Sequence, residues 1–259
     1  LGDVYKRQPK EEAGAQPWTV KDEKGFPNVL SLRFAVDSLT DTWASLALES
    51  RDKTEIYVNG SLVEEESSGW FTDESIEVVK IPPLRRGSNT IELRMPYGEK
   101  ANVESCYLLG DFGVEVFGKE KRIIPAPEKV VFGDLTRQGM PFYGGNLTYR
   151  CKFTAPGGHM RLRAQYFSGP LLGAAVDGKR TGSIAFAPYE VDLGDLEAGE
   201  HLLEITAFGN RYHTFGQLHN CDRNYSWFAS CSWRTKNDRW SDEYMLKELG
   251  ILVTPELIY

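Results

Sequence analysis

The residues best suited to chemistry crowd into one stretch. Between Phe208 and Trp240 run Tyr212, Phe215, Tyr225, Trp227, Phe228, Trp233 and Trp240, with His213 and His219 among them. Asn210, Arg211, Asp222, Arg223, Asn224 and Asp238 add directional polar groups. A sugar offers flat C–H faces that stack on aromatic rings and hydroxyls that need hydrogen-bond partners, so this mixture is what a glycan site requires. The candidate glycan contacts are Tyr212, His213, His219, Asp222, Arg223, Trp227, Trp233 and Trp240. Two other readings of the same stretch stay open: a surface that docks on a further domain, and long loops that bury tryptophan to cap a core.

Other chemistries find less support. His213, His219, Cys221 and Asp222 follow the spacing H-x5-H-x-C-D, whereas zinc sites use tighter paired ligands, and no such pair recurs. No metal ligand is assigned. Glu64-Glu65-Glu66 and Asp73-Glu74 supply neighbouring carboxylates, which a glycosidase needs in pairs across its site. Consecutive acidic residues in a loop more often form a solvated surface, and no catalytic residue is assigned. A serine nucleophile elbow, a dinucleotide glycine pattern and a phosphate-binding loop are absent. Cys106, Cys151, Cys221 and Cys231 show no framework spacing. Cys151 lies on the apolar phase of a strand, and Cys221 with Cys231 shares a loop in which an oxidising compartment would allow a bridge.

The elements that must position these residues are strands. Leu30, Leu32, Phe34 and Val36 alternate with polar residues, as do Ile91, Leu93 and Met95, then Leu147, Tyr149, Cys151 and Phe153, then Met160, Leu162, Ala164 and Tyr166. Period two marks a strand with one buried face. Asn59-Gly60 and Asp177-Gly178 each follow a β-rich run and suit two-residue hairpins that demand positive φ. Long helical patterns are absent, so the expected class is all-β, built as antiparallel sandwiches or jelly rolls.

The chain also repeats itself. Val58-Asn59-Gly60 matches Val176-Asp177-Gly178 at an offset of 176 − 58 = 118. Ile81, Leu84, Gly87, Ile91, Glu92 and Leu93 match Leu193, Leu196, Gly199, Leu203, Glu204 and Ile205 at an offset of 193 − 81 = 112. Nine positions in order with one loop shortening indicate an internal duplication. Two tandem modules are expected, 9–122 and 123–259, joined through the Pro125-Ala126-Pro127 region. Residues 1–8 read LGDVYKRQ, and their last six match the in-frame translation of a transposon end used in shotgun sequencing libraries. They are set aside from fold reasoning, and a longer native chain is expected upstream.

Ile56-Tyr57-Val58-Asn59-Gly60, Trp70-Phe71-Thr72-Asp73 and the run Ile81-Pro82-Pro83-Leu84-Arg85-Arg86-Gly87-Ser88-Asn89-Thr90-Ile91-Glu92-Leu93 together resemble the galactose-binding-like jelly-roll modules of bacterial family 2 and related glycoside hydrolases. Tyr107-Leu108-Leu109-Gly110-Asp111-Phe112-Gly113-Val114 resembles the segment closing such a module. The stretch from Gln138 to Arg150 resembles the start of the C-terminal sandwich in those enzymes. The resemblance implies non-catalytic modules whose partners are carbohydrate and a catalytic barrel elsewhere in the same chain. It carries over no catalytic residue and no cofactor, although such modules often hold a structural calcium that one sequence cannot locate. The expectation is a portion without catalysis of its own, in a parent that hydrolyses glycosidic bonds. The rival readings are a carbohydrate-binding or adhesion protein with no enzyme attached and, with less support, a β-sandwich enzyme acting on polysaccharide.

Charge and hydropathy agree with that direction. Lys and Arg total 30 against 37 Asp and Glu, a net charge of −7 with no cationic stripe, which argues against a nucleic-acid partner. No run approaches the ~18 apolar residues of a membrane span. With the native start expected upstream, localisation is unassigned.

Overall fold

The structure is a computed structural model and describes residues 28–98, 103–222 and 239–259. Residues 1–8, Arg223, Trp227, Trp233 and Cys231 lie outside the described residues. Among those described, the chain is all-β: nineteen strands, one four-residue α-helix and two short 3-10 turns. Close packing divides it into two units, Leu1–Gly113 with Lys121–Ala126, and Val114–Glu120 with Pro127–Tyr259.

In the first unit, β1 (Asn28–Ser38), β3 (Glu55–Val58), β4 (Ser61–Leu62) and β7 (Gly87–Tyr97) form one sheet in the order β4-β3-β7-β1. β2 (Thr42–Leu48), β5 (Ser67–Phe71), β6 (Asp73–Leu84) and β8 (Tyr107–Gly110) form the other, ordered β5-β6-β2-β8. β9 (Phe112–Phe117) and β10 (Glu120–Pro125) follow, and Ser38 of β1 pairs in parallel with Ile123 of β10. The inward residues of both sheets meet in one core: Ile56, Val58, Ile91 and Leu93 from the first, Leu46, Val79, Ile81 and Leu84 from the second. Two antiparallel sheets sharing one apolar core make a sandwich.

The second unit has β11 (Leu147–Ala155), β14 (Leu172–Val176), β15 (Lys179–Ile184) and β17 (Gly199–Ala207) in the order β11-β17-β14-β15. Its facing sheet is β16-β12-β19, from β16 (Glu190–Leu196), β12 (Gly158–Arg163) and β19 (Glu256–Ile258). β13 (Phe167–Ser168) and β18 (Gly250–Ile251) pair separately. Met160, Leu162 and Leu193 meet Val176, Leu203 and Ile205 in a single core. Full burial of each such side chain is worth roughly 1.5–3 kcal/mol.

The duplication is visible in register. Val58 faces Ile91, and Val176 faces Leu203. Leu46 lies between Val79 and Leu108, as Leu162 lies between Val191 and Leu257. Both hairpins turn through two positive-φ residues, Asn59 (51°) with Gly60 (84°) and Asp177 (50°) with Gly178 (78°). That geometry is the mirror-image turn that matches the strand twist, and the Asx-Gly pairs tolerate it at little strain.

Candidate functional site

Along β2, Ala44, Leu46 and Leu48 point into the core, which sends Trp43 and Ser45 to the outer face. Trp43 is 76% exposed. Single exposed rings are common on this surface, Trp70 at 58% and Phe186 at 86% among them, so the meaning of Trp43 lies in what surrounds it.

Trp43 forms a wall of an open cleft of about 740 Å³, within the range of small-molecule sites. Four segments converge there: Trp43–Ser45 of β2, Leu62–Glu65 at and after β4, Lys80–Pro82 of β6, and Leu109–Asp111 leaving β8. Sheet register places Ser45 opposite both Lys80 and Leu109, so β2 forms the floor. The close approach of β8 to β2 requires glycine at 110. A Cβ there would stand 2.7 Å from the Trp43 carbonyl oxygen and 2.6 Å from a Phe112 ring carbon.

The rim is held by backbone anchors. The Val63 N–H donates to the Ile56 carbonyl at 2.8 Å, and Arg51 donates from its two terminal nitrogens to the carbonyls of Thr54 (2.9 Å) and Glu65 (3.0 Å). The segment is therefore pinned through its main chain while the Glu64 and Glu65 carboxylates stay unspent. Among the described residues, Glu64, Glu65, Asp111 and Lys80 make no ion pair. The cleft thus presents a flat aromatic face, the aliphatic surfaces of Leu62, Pro82 and Leu109, several carboxylate acceptors and one ammonium donor. It can stack a ring and bind hydroxyls around it.

The second unit holds the described part of the aromatic stretch. Tyr212 opens helix α1 (Tyr212–Phe215), with the Lys247 ammonium 4.2 Å from its ring centroid. His213 is 5% exposed, and both ring nitrogens are engaged. Nδ1 donates to the Pro141 carbonyl at 2.7 Å, and Nε2 accepts the Lys247 N–H at 2.9 Å. Burial pushes its pKa below the ordinary histidine value, consistent with a neutral ring that accepts at one nitrogen and donates at the other. His219 lies against Trp240 and Tyr244, at ring-centroid distances of 4.6 and 4.7 Å, with Nδ1 donating to the Ser241 carbonyl at 3.0 Å. Trp240 donates from its indole nitrogen to Asp242 at 3.1 Å, and Asp222 stands 3.5 Å from Arg239.

These contacts zip residues 239–249 onto 210–222 and, through His213, tie both to Pro141. His213 in particular has no nitrogen left for a sugar hydroxyl, and its role here is to fasten two loops. Trp43, by contrast, carries no signal in a search for aromatic density. Its signal is phase: a tryptophan on the solvent side of the run Thr42-Trp43-Ala44-Ser45-Leu46.

No protein-family model matches the chain, and no curated protein matches it. Among solved structures, a rhamnosidase from Novosphingobium sp. PP1Y is similar at 15% identity and a TM-score of 0.36, over 91% of this chain and 23% of that one. A Pleurotus ostreatus lectin is similar at 11% identity and a TM-score of 0.25, over 76% of this chain and 72% of the lectin. This chain therefore spans less than a quarter of the rhamnosidase, at 23% of its length.

Proposed function

We propose that this protein binds carbohydrate without transforming it, in the Trp43 cleft of its first sandwich, as an accessory β-sandwich pair of a larger glycoside hydrolase. The observation that carries the binding is the indole, 76% exposed on the wall of an open cleft whose carboxylates make no ion pair among the described residues. Its exposed face suits a sugar ring, and the surrounding carboxylates and ammonium suit hydroxyls in both hydrogen-bond senses. The enzyme setting is supported by the sequence resemblance to glycosidase modules spread across both sandwiches.

Titration calorimetry of the chain against a panel of oligosaccharides tests the reading. At least one ligand binds, and Trp43→Ala weakens it by at least about tenfold, or about 1.4 kcal/mol. Equal binding by Trp43→Ala, with loss on Trp227→Ala or Trp233→Ala, would move the site to the 208–240 stretch. Glycoside hydrolysis by the folded chain would contradict a non-catalytic role. Recovery of the longer reading frame tests the setting: a catalytic barrel supports it, whereas a surface anchor beside further sandwiches describes a stand-alone binding protein.

A further inference from the structure

The charges lining the cleft are unbalanced. Glu64, Glu65 and Asp111 face one cation, Lys80, a net of 1 − 3 = −2. The contrast lies in the same unit: Glu92 is held by Arg33 at 2.8 Å and Arg94 at 2.6 Å. The nearby Arg51 guanidinium does not line the cleft and is bonded to the Thr54 and Glu65 carbonyls. The cleft carboxylates thus share a cleft with an exposed indole and keep their acceptor capacity.

We infer that the cleft selects its sugar by charge, taking amino sugars ahead of neutral ones and turning away uronic acids. This rests on the carbohydrate reading above. A protonated amino sugar combines a C–H face for the indole with an ammonium. The ammonium donates charge-assisted hydrogen bonds to carboxylates and is attracted to the aromatic face. Lys80 repels a second ammonium, so the ligand nitrogen turns from it toward a cleft carboxylate. A uronate meets the same three carboxylates with a like charge, and in an open cleft that repulsion is moderated by solvent and screened by salt.

The test titrates the chain with glucosamine, N-acetylglucosamine and galacturonate oligomers of equal length, at a pH where carboxylates are ionised and amines protonated. The expected order is glucosamine, then N-acetylglucosamine, then galacturonate, with about tenfold or more between first and last at low salt and a smaller gap at high salt. A triple variant, Glu64→Gln, Glu65→Gln and Asp111→Asn, changes exposed side chains only. It should collapse the spread among the three affinities, whatever it does to the neutral ligand's own. Galacturonate binding as tightly as glucosamine, or an unchanged order in the triple variant, overturns charge selection and leaves carbohydrate binding standing. No binding of any oligomer overturns both.

Discussion

The two sandwiches are copies in strand pairing and differ in what their outer surfaces do. At the offsets that align the strands, Arg33–Glu92 in the first unit corresponds to Arg150–Glu204 in the second, each ion pair at 2.8 Å. The hairpin tie also repeats. Asn59 Oδ1 accepts the Thr90 N–H and Asp177 Oδ1 accepts the Leu202 N–H, both at 2.8 Å. Asn59 then donates to Asn89 at 3.1 Å, where Asp177 takes His201 Nδ1 at 2.7 Å. Asn89 and His201 in turn reach back to the carbonyls of Arg85 (2.8 Å) and Glu197 (3.0 Å), which are themselves equivalent positions. One geometry is served by amides in one copy and by an ion pair in the other.

The outer face shows what divergence on a fixed scaffold can produce. At the position of Trp43 the second unit has His159, which lies 3.1 Å from Asp192 and 3.2 Å from Asp195. Asp192 is the counterpart of Lys80. Where the first unit leaves an indole and unpaired charges around a cleft, the second satisfies its charges internally. The connections differ as well. From β7 to β8 the chain uses 107 − 97 − 1 = 9 residues, but from β17 to β19 it uses 256 − 207 − 1 = 48. The longer connection contains the aromatic stretch, so its abundance of rings belongs to an insertion at one topological position. Surface connections tolerate such growth because the closure entropy rises slowly with length.

The largest expected effect tests whether the copies are energetically alike. Leu46→Ala and Leu162→Ala remove equivalent core side chains and should each destabilise by about 2–5 kcal/mol in denaturant unfolding. A loss below about 1 kcal/mol at one of them would break the equivalence.

His213 has no counterpart in the first unit. His213→Ala strands the Pro141 carbonyl and the Lys247 N–H and should cost about 1–3 kcal/mol. Because burial depresses this pKa, its contribution is present above the ordinary value near 6.5 and falls as pH drops below it. The acid-side loss should vanish in the alanine variant. An unchanged pH dependence would remove His213 from the account.

Glu92 sharpens the comparison of ion pairs. Hydrogen bonds from Arg94, Arg33 and Ser31 hold its pKa at about 2, against an ordinary 4.5. Its stabilisation is therefore present above pH 4.5 and is lost as pH falls from there toward 2. Glu92→Gln should lower the neutral-pH unfolding midpoint more than Glu204→Gln, whose carboxylate faces the exposed Arg150. Equal shifts would contradict the ranking.

The smallest effect concerns the hairpin ties. The Asp177 hydrogen bond, followed by the Glu197 carbonyl, raises the His201 pKa. That stabilisation is complete below about 6.5 and is lost as pH rises through the raised value. Hydrogen exchange, corrected for its intrinsic pH dependence, should show the Leu202 amide losing protection over that range while Thr90 does not. A double variant, Asp177→Asn with His201→Asn, should flatten the difference.

The sandwich class was legible because burial on one face of a strand leaves a period-two trace, and the hairpins because Asx-Gly pairs fit positive φ. The duplication was legible at Val58, Ile91 and Leu93, where packing keeps residues apolar. The shared tie of Asn89 and His201 was not, since two unlike side chains perform the same reach. The cleft was hidden for a different reason. Its walls come from residues 43, 64, 80 and 111, and only sheet register brings them together. Aromatic density drew attention to Tyr212, His213, His219 and Trp240, whose described contacts include Lys247, Pro141, Tyr244 and Asp242.

The central claim is that the first sandwich binds sugar through an indole its copy lacks. Calorimetric titration of the intact chain and of Trp43→Ala with one oligosaccharide tests it most directly. The account predicts affinity reduced by at least about tenfold with the unfolding midpoint unchanged, since the side chain is exposed. Equal affinity in the two proteins would contradict it.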